Sequence, residues 1–229
     1  MTKFPGGPAI VPQPTVTGPM RFRVFVDYWN LQLSLNERES EATGHADSRF
    51  LIDFKRLPAC LTQHAAIMVG ASHFSYEGVM IFTSYNPQTL DGRKFHKWAT
   101  SWLDRQPGIQ VKCSERRPRH HPKCPTCHKP IATCPDPECG ADLAGTVEKG
   151  VDTAIATDMI RLAWEQAYDV AVLASSDADL IPAVEFLDQK GLKVIQAGFP
   201  PLGSHLSRAC WGTVDMFAIR EEFRRTAAS

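Results

Sequence analysis

Short apolar runs alternate with longer amphipathic stretches along most of the chain. From Arg21 onward, Phe22, Val24 and Val26 alternate with Arg21, Arg23 and Phe25, the period-two pattern of a strand that ends at Asp27. A helix is expected soon after Asn30. Five further runs rich in β-branched residues, at 79–84 (VMIFTS), 109–113 (IQVKC), 169–174 (DVAVLA), 192–197 (LKVIQA) and 213–217, read as strands. Segments of helical length lie at 51–66, 91–105, 147–167, 179–190 and 219–226. The clearest has Val147, Val151, Ile155, Met159 and Leu162 on one stripe, at spacings of four, four, four and three. Strand and helix in alternation imply right-handed βαβ units, hence an α/β fold whose mostly parallel central sheet is flanked by helices.

Composition changes this picture at two places. Residues 1–20 carry Pro5, Pro8, Pro12, Pro14 and Pro19 with almost no charge, which predicts a disordered N-terminal arm ahead of a folded domain over 21–229. A Cys-, Pro- and His-rich segment within 113–142 interrupts the route from a strand to the long helix and reads as an insertion. Elsewhere the chain is ordinary: 229 residues at 43% hydrophobic content can bury a core without a staple. The 25 basic and 25 acidic side chains cancel, so affinity for nucleic acid would need a local patch. No stretch approaches the roughly 20 apolar residues of a membrane span, and the N-terminus lacks a basic-then-apolar signal. A cytoplasmic protein without membrane contact is expected.

Chemistry gathers at strand ends. Functional groups of open α/β sheets collect where strands leave the sheet at their carboxyl ends. Asp27 ends the first strand in VDYWN, and Asp177 and Asp179 follow DVAVLA in SSDAD. Asp152 stands in the first turn of the long helix, with Lys149 nearly on the same face. Aspartates at such positions also serve as helix caps. Together in one cleft they would repel one another unless a hard cation lay between them, and Mg²⁺ or Mn²⁺, which prefers carboxylate oxygens, could there activate a water against a phosphodiester. Asp158, six residues beyond Asp152, points about 120° away and reads as a helix-face or supporting residue.

The stretches VDYWNL (Val26–Leu31), EKGVDTAIATDMIRLA (Glu148–Ala163) and YDVAVLASSDADLIPAVEFL (Tyr168–Leu187) resemble the NYN domain family, a branch of the PIN-like nucleases. The resemblance runs from about Arg21 to Ala218. It implies a Mg²⁺- or Mn²⁺-dependent ribonuclease in which Asp27, Asp152, Asp177 and Asp179 hold the metal and Asn30 orients the cluster or the substrate phosphate. The chain departs from the family pattern at Tyr28, Ser176 and Leu180, where the family often has Gly, Gly and Phe. Ser176 stands where backbone would approach a phosphate. An endoribonuclease is therefore expected, acting on single-stranded or structured RNA; the alternative is a catalytically silent RNA-binding or scaffold module.

Between Arg93 and Lys123 the chain carries nine Lys or Arg against Asp104 and Glu115 alone. The loop holding Arg116, Arg117 and Arg119 has no apolar face and suits phosphate contacts, as does Lys149; a solvated basic loop is the plainer alternative. Cys124 and Cys127 form a CxxC pair, and Cys134 and Cys139 follow six residues later. Paired cysteines on tight, Pro- and Gly-aided turns suit tetrahedral Zn²⁺, so a structural zinc-ribbon-like insertion is expected, with Cys113, His120, His121 or His128 as an alternative for one ligand. The insertion could also dock a protein partner or a second copy.

Overall fold

The computed structural model describes residues 18–226. All of the expected arm except Gly18–Met20 lies outside these residues. The first strand, β1 (Met20–Asp27), begins one residue before Arg21. Helix α1 (Tyr28–Thr43) follows without a loop, because Asp27 caps it: its carboxylate accepts the Asn30 amide at 3.2 Å. Helix α2 (Leu57–Val69) starts later than the apolar pattern suggested. Pro58 occupies its first turn, where a missing N–H costs nothing, and the preceding residues instead form an extended bridge, Ile52 with Arg224.

Next come β2 (Phe74–Tyr85), α3 (Leu90–Ser101) and β3 (Ile109–Glu115). A two-stranded ribbon of β4 (Arg117–Arg119) and β5 (Gly145–Val147) then flanks the insertion. Helix α4 (Val151–Trp164) leads to β6 (Val170–Ala174), α5 (Ile181–Gln189) and β7 (Lys193–Gly198). The chain closes with α6 (Ser204–Ala209), β8 (Gly212–Asp215) and a 3₁₀ turn at Arg220–Phe223.

Six strands form one sheet in the order β3-β2-β1-β6-β7-β8, with every neighbouring pair parallel. The alternation read from the sequence of the first strand holds, and β6 alternates in the same way. Phe22, Val24 and Val26 of β1 and Val170, Val172 and Ala174 of β6 face one core with α1 and α2, while Phe25, Ala171 and Leu173 face the other with α4 and α5. Burying both faces is what an all-parallel sheet demands. β1 and β6 are neighbours at the centre, and strand order runs outward from them in opposite directions. Their carboxyl ends therefore flank the crevice where such sheets bind ligands.

The helix expected from Val147 starts at Val151, because Gly150 stands in the left-handed region at φ 82° and closes the ribbon before the helix opens. Val147 consequently belongs to β5, and Lys149 is an exposed residue of the connection, outside the helix. Residues 219–226 form only the short 3₁₀ turn, and α6 carries no periodic signal long enough to read. Among the described residues, no helix is long and apolar enough to cross a membrane.

Candidate metal centre

Three of the four aspartates expected to share a site do so closely. Carboxylate oxygens of Asp152, Asp177 and Asp179 lie within 4.8 Å of one another. Asp152 arrives from the first turn of α4, where unpaired helix amides favour negative charge. Asp177 and Asp179 come from the turn that follows β6. That turn is fixed locally: Asp177 Oδ1 accepts the Asp179 amide at 2.9 Å, and its own amide donates to Ser175 Oγ at 3.1 Å. Asp179 therefore caps nothing. A short 3₁₀ turn, Ala178–Leu180, is capped by Asp177, and α5 starts two residues beyond Asp179 without a side-chain cap.

Asp27 stands deeper and is not one of this close group. It is 5% exposed, with Oδ1 taken by the Asn30 amide and Oδ2 accepting from Ser175 Oγ at 3.4 Å. Burial pushes its carboxyl up to about 7; the Asn30 amide works against that shift, and Glu148, Asp152 and Asp177 add to it. Asp152 is likewise raised above the usual carboxylate range, by burial first and then by Asp177, Glu148 and Asp179.

Glu148 thus belongs to the site although the sequence reading passed over it. It hydrogen-bonds Ser84 Oγ at the end of β2 and lies 4.0 Å from Arg116. The signal available was its place two residues before the Gly150 turn, inside a stretch already singled out for Asp152.

Charge balance separates this cluster from ordinary acidic surface. Asp158, also a carboxylate and 3% exposed, is neutralised by Lys112 and Arg161. Among the described residues no ion pair reaches Asp27, Asp152, Asp177 or Asp179. An all-oxygen donor set, crowded and with none of its four aspartates in an ion pair, matches what a hard divalent ion requires.

The other candidates fall into place around it. Asn30 Oδ1 accepts the Ser176 amide at 2.9 Å and so ties α1 to the turn after β6. Ser176 Oγ is buried without a hydrogen-bond partner, and a Cβ on Gly203 would come within 2.8 Å of Ser176 Cβ, so this turn is held against a close neighbour. Arg116 lies over the Trp29 ring at 5.3 Å from its centroid and donates to Ser84 Oγ at 2.9 Å, beside the acidic group. Arg117 and Arg119 are exposed, but on strand β4 and not on a loop. A cleft of about 1090 Å³ opens next to Trp29, Ser84 and Arg116, lined also by Tyr85, Phe95 and Trp98.

In the insertion, the two cysteine pairs sit on separate hairpin turns. One is closed by a bridge between Lys123 and Pro130, the other by a bridge between Thr133 and Asp142. His128 takes φ 58° and Gly140 takes φ 57° to complete them. Cys124 is held below the usual thiol range by amides of Cys127 and Thr126 that hydrogen-bond its sulfur. The donors suit zinc, yet among the described residues Cys124, Cys127, Cys134 and Cys139 are not drawn within 4.8 Å of one another as a group. Cys113 lies on β3, paired with Thr83.

Comparison with known proteins agrees with the fold. No curated protein matches the chain. A crystal structure of a protein of unknown function from Vibrio parahaemolyticus RIMD 2210633 superposes with a TM-score of 0.50 at 19% identity, covering 91% of this chain and 98% of that one. An arabinose-binding protein from Geobacillus stearothermophilus aligns at a TM-score of 0.24 and 11% identity over 86% of this chain and 81% of its own. The sequence pattern of the NYN domain matches residues 21–217, a span that contains every strand of the sheet but the first residue of β1, together with the acidic cluster. The chain belongs to the NYN domain family of PIN-like nucleases.

Proposed function

We propose that this protein is a divalent-metal-dependent endoribonuclease whose reaction takes place over Asp152, Asp177 and Asp179. The observation that carries the reading is the convergence of those three carboxylates within 4.8 Å, none of them in an ion pair among the described residues, at the central switch point of the sheet. Asp152, Asp177 and Asp179 would hold Mg²⁺ or Mn²⁺, and the buried Asp27 carboxyl on the floor of the site would ionise and join them when a cation binds. Such an ion, when bound, supplies an activated water and neutralises phosphate charge.

The chain's own residues do the rest. Asn30 and Ser175 fix the turn that presents Asp177 and Asp179, so the oxygens are arranged before substrate arrives. Arg116, half-buried beside Glu148, and exposed Lys149 would hold phosphates. Arg117 and Arg119 extend that positive rim along the ribbon. RNA, single-stranded or structured, is the proposed substrate. The insertion is proposed as a zinc-stabilised unit that captures RNA or a protein partner, since its two hairpins each present a thiol pair on a tight turn.

Cleavage of end-labelled single-stranded RNA with Mn²⁺, by wild type and by Asp177→Asn, tests the reading. Cleavage by wild type, lowered at least about a hundredfold in the variant, is expected, because loss of a ligand should exceed the 10- to 100-fold cost of losing a supporting partner. Equal cleavage, or none by either protein, would favour the silent RNA-binding module instead.

A further inference from the structure

A second group of potential ligands lies outside the acidic cluster. Cys60 and His64 are one helical turn apart on α2, and Glu222 reaches them from the 3₁₀ turn near the C-terminus. One atom of each lies within 4.8 Å of the others. Cys60 Sγ is 3.3 Å from Glu222 Oε2, and His64 Nε2 is 3.0 Å from both carboxylate oxygens.

We propose that Cys60, His64 and Glu222 form a metal site for a borderline-soft divalent cation of the zinc class, which fastens the C-terminal 3₁₀ turn to α2. Donor chemistry comes first: sulfur, imidazole nitrogen and carboxylate oxygen together suit Zn²⁺ and not the hard ions of the aspartate cluster. Spacing comes second. Ligands four apart on a helix share a face, and a third from another element leaves one position of a tetrahedron open. Metal bonds of ordinary length set tetrahedral edges of about 3.5 Å for S···O and about 3.3 Å for N···O. The separations of 3.3 and 3.0 Å lie just inside those edges, so modest motion admits an ion.

Exposure supports the open position. Cys60 is 8% exposed, whereas the side chains of His64 and Glu222 are 30% and 53% exposed, so the site is anchored at the sulfur and reached by solvent from the other side. The 3₁₀ turn also buries Phe223 and leads into the Ile52–Arg224 bridge, so a metal here would clamp the end of the chain to the sheet's first helical layer.

Co²⁺ titration of the full, metal-stripped and reduced chain provides the test, because thiolate-bound cobalt gives a near-ultraviolet charge-transfer band that carboxylate-bound cobalt lacks. In a chain carrying Ser in place of Cys124, Cys127, Cys134 and Cys139, one thiolate-ligated Co²⁺ per chain should remain. Glu222→Gln and His64→Ala should each weaken that site at least about tenfold, the lower bound for losing even a supporting partner. If the chain without the insertion's thiols unfolds, Glu222→Gln and His64→Ala in the otherwise wild-type chain should each lower the thiolate-bound stoichiometry by one. No thiolate band in the folded insertion variant, or identical titrations for wild type, Glu222→Gln and His64→Ala, would overturn the proposal. RNA cleavage is not the readout, so this site and the nuclease reading fail separately.

Discussion

Two aspartates at the two ends of the sheet respond to pH in opposite senses, and each follows from its surroundings. Asp27 is raised to about 7 chiefly by burial, so between its unfolded value near 3.9 and 7 the folded chain holds a proton that the unfolded chain has lost. Metal-free stability should therefore fall as pH rises through that window, with the full penalty present above 7. Asp27→Asn should melt at a higher temperature than wild type at pH 8 in chelator, and Mn²⁺ should stabilise wild type more than the variant. Equal melting in chelator would show that the carboxylate is better solvated than its burial implies. Asp169 is the contrary case. Arg21 grips it at 2.7 and 3.1 Å and donates its backbone amide as well, holding the carboxyl below the usual range despite burial. Its contribution is present above about 3.9 and is lost as pH falls through the lower folded value. Asp169→Asn should cost about 1 kcal/mol at pH 7 in denaturant unfolding, and progressively less as pH is lowered below about 3.9. Residue identity announced the acidic site, since an aspartate after each of two strands can be read directly. It did not announce Glu148, because nothing in the sequence shows that Ser84 and Arg116 hold it beside the cluster.

At the scale of elements, the turn before α4 decides how Asp152 is delivered. Gly150 at φ 82° ends the ribbon and starts the helix, and a side chain there is strained although nothing crowds the space. Gly150→Ala should cost roughly 1–2 kcal/mol of stability and weaken Mn²⁺ binding by calorimetry, because relieving the strain rotates the first turn of the helix. An unchanged metal affinity would mean that Asp152 is positioned by packing of Val151 and Ile155 alone. Strands were legible because burial on both faces leaves continuous apolar runs, and α4 was legible from Val151, Ile155, Met159 and Leu162. Its start was not, because Val147 continues the same four-residue spacing while belonging to a strand. Hydrophobic period cannot register a left-handed glycine that resets the chain's direction.

The whole molecule couples one sheet to an insertion that hangs from its edge by a two-stranded ribbon. The described hairpins of the insertion have mostly exposed side chains, so their order should depend on zinc more than on a core. Chelation, or Cys124→Ser with Cys127→Ser, should expose residues 120–142 to rapid hydrogen exchange while β1, β2 and β6 remain protected; simultaneous loss of protection in the sheet would make the insertion part of the main cooperative unit. What the sequence determined alone was the alternation of elements, the inventory of carboxylates and thiols, and the family, because those rest on local periodicity and residue type. Only the tertiary structure decided that Asp152, Asp177 and Asp179 share one point with Asp27 beneath them, that Asp158 is neutralised by Lys112 and Arg161, and that Cys60, His64 and Glu222 meet. Those facts depend on which strands become neighbours, and strand order is a long-range choice that no local pattern encodes.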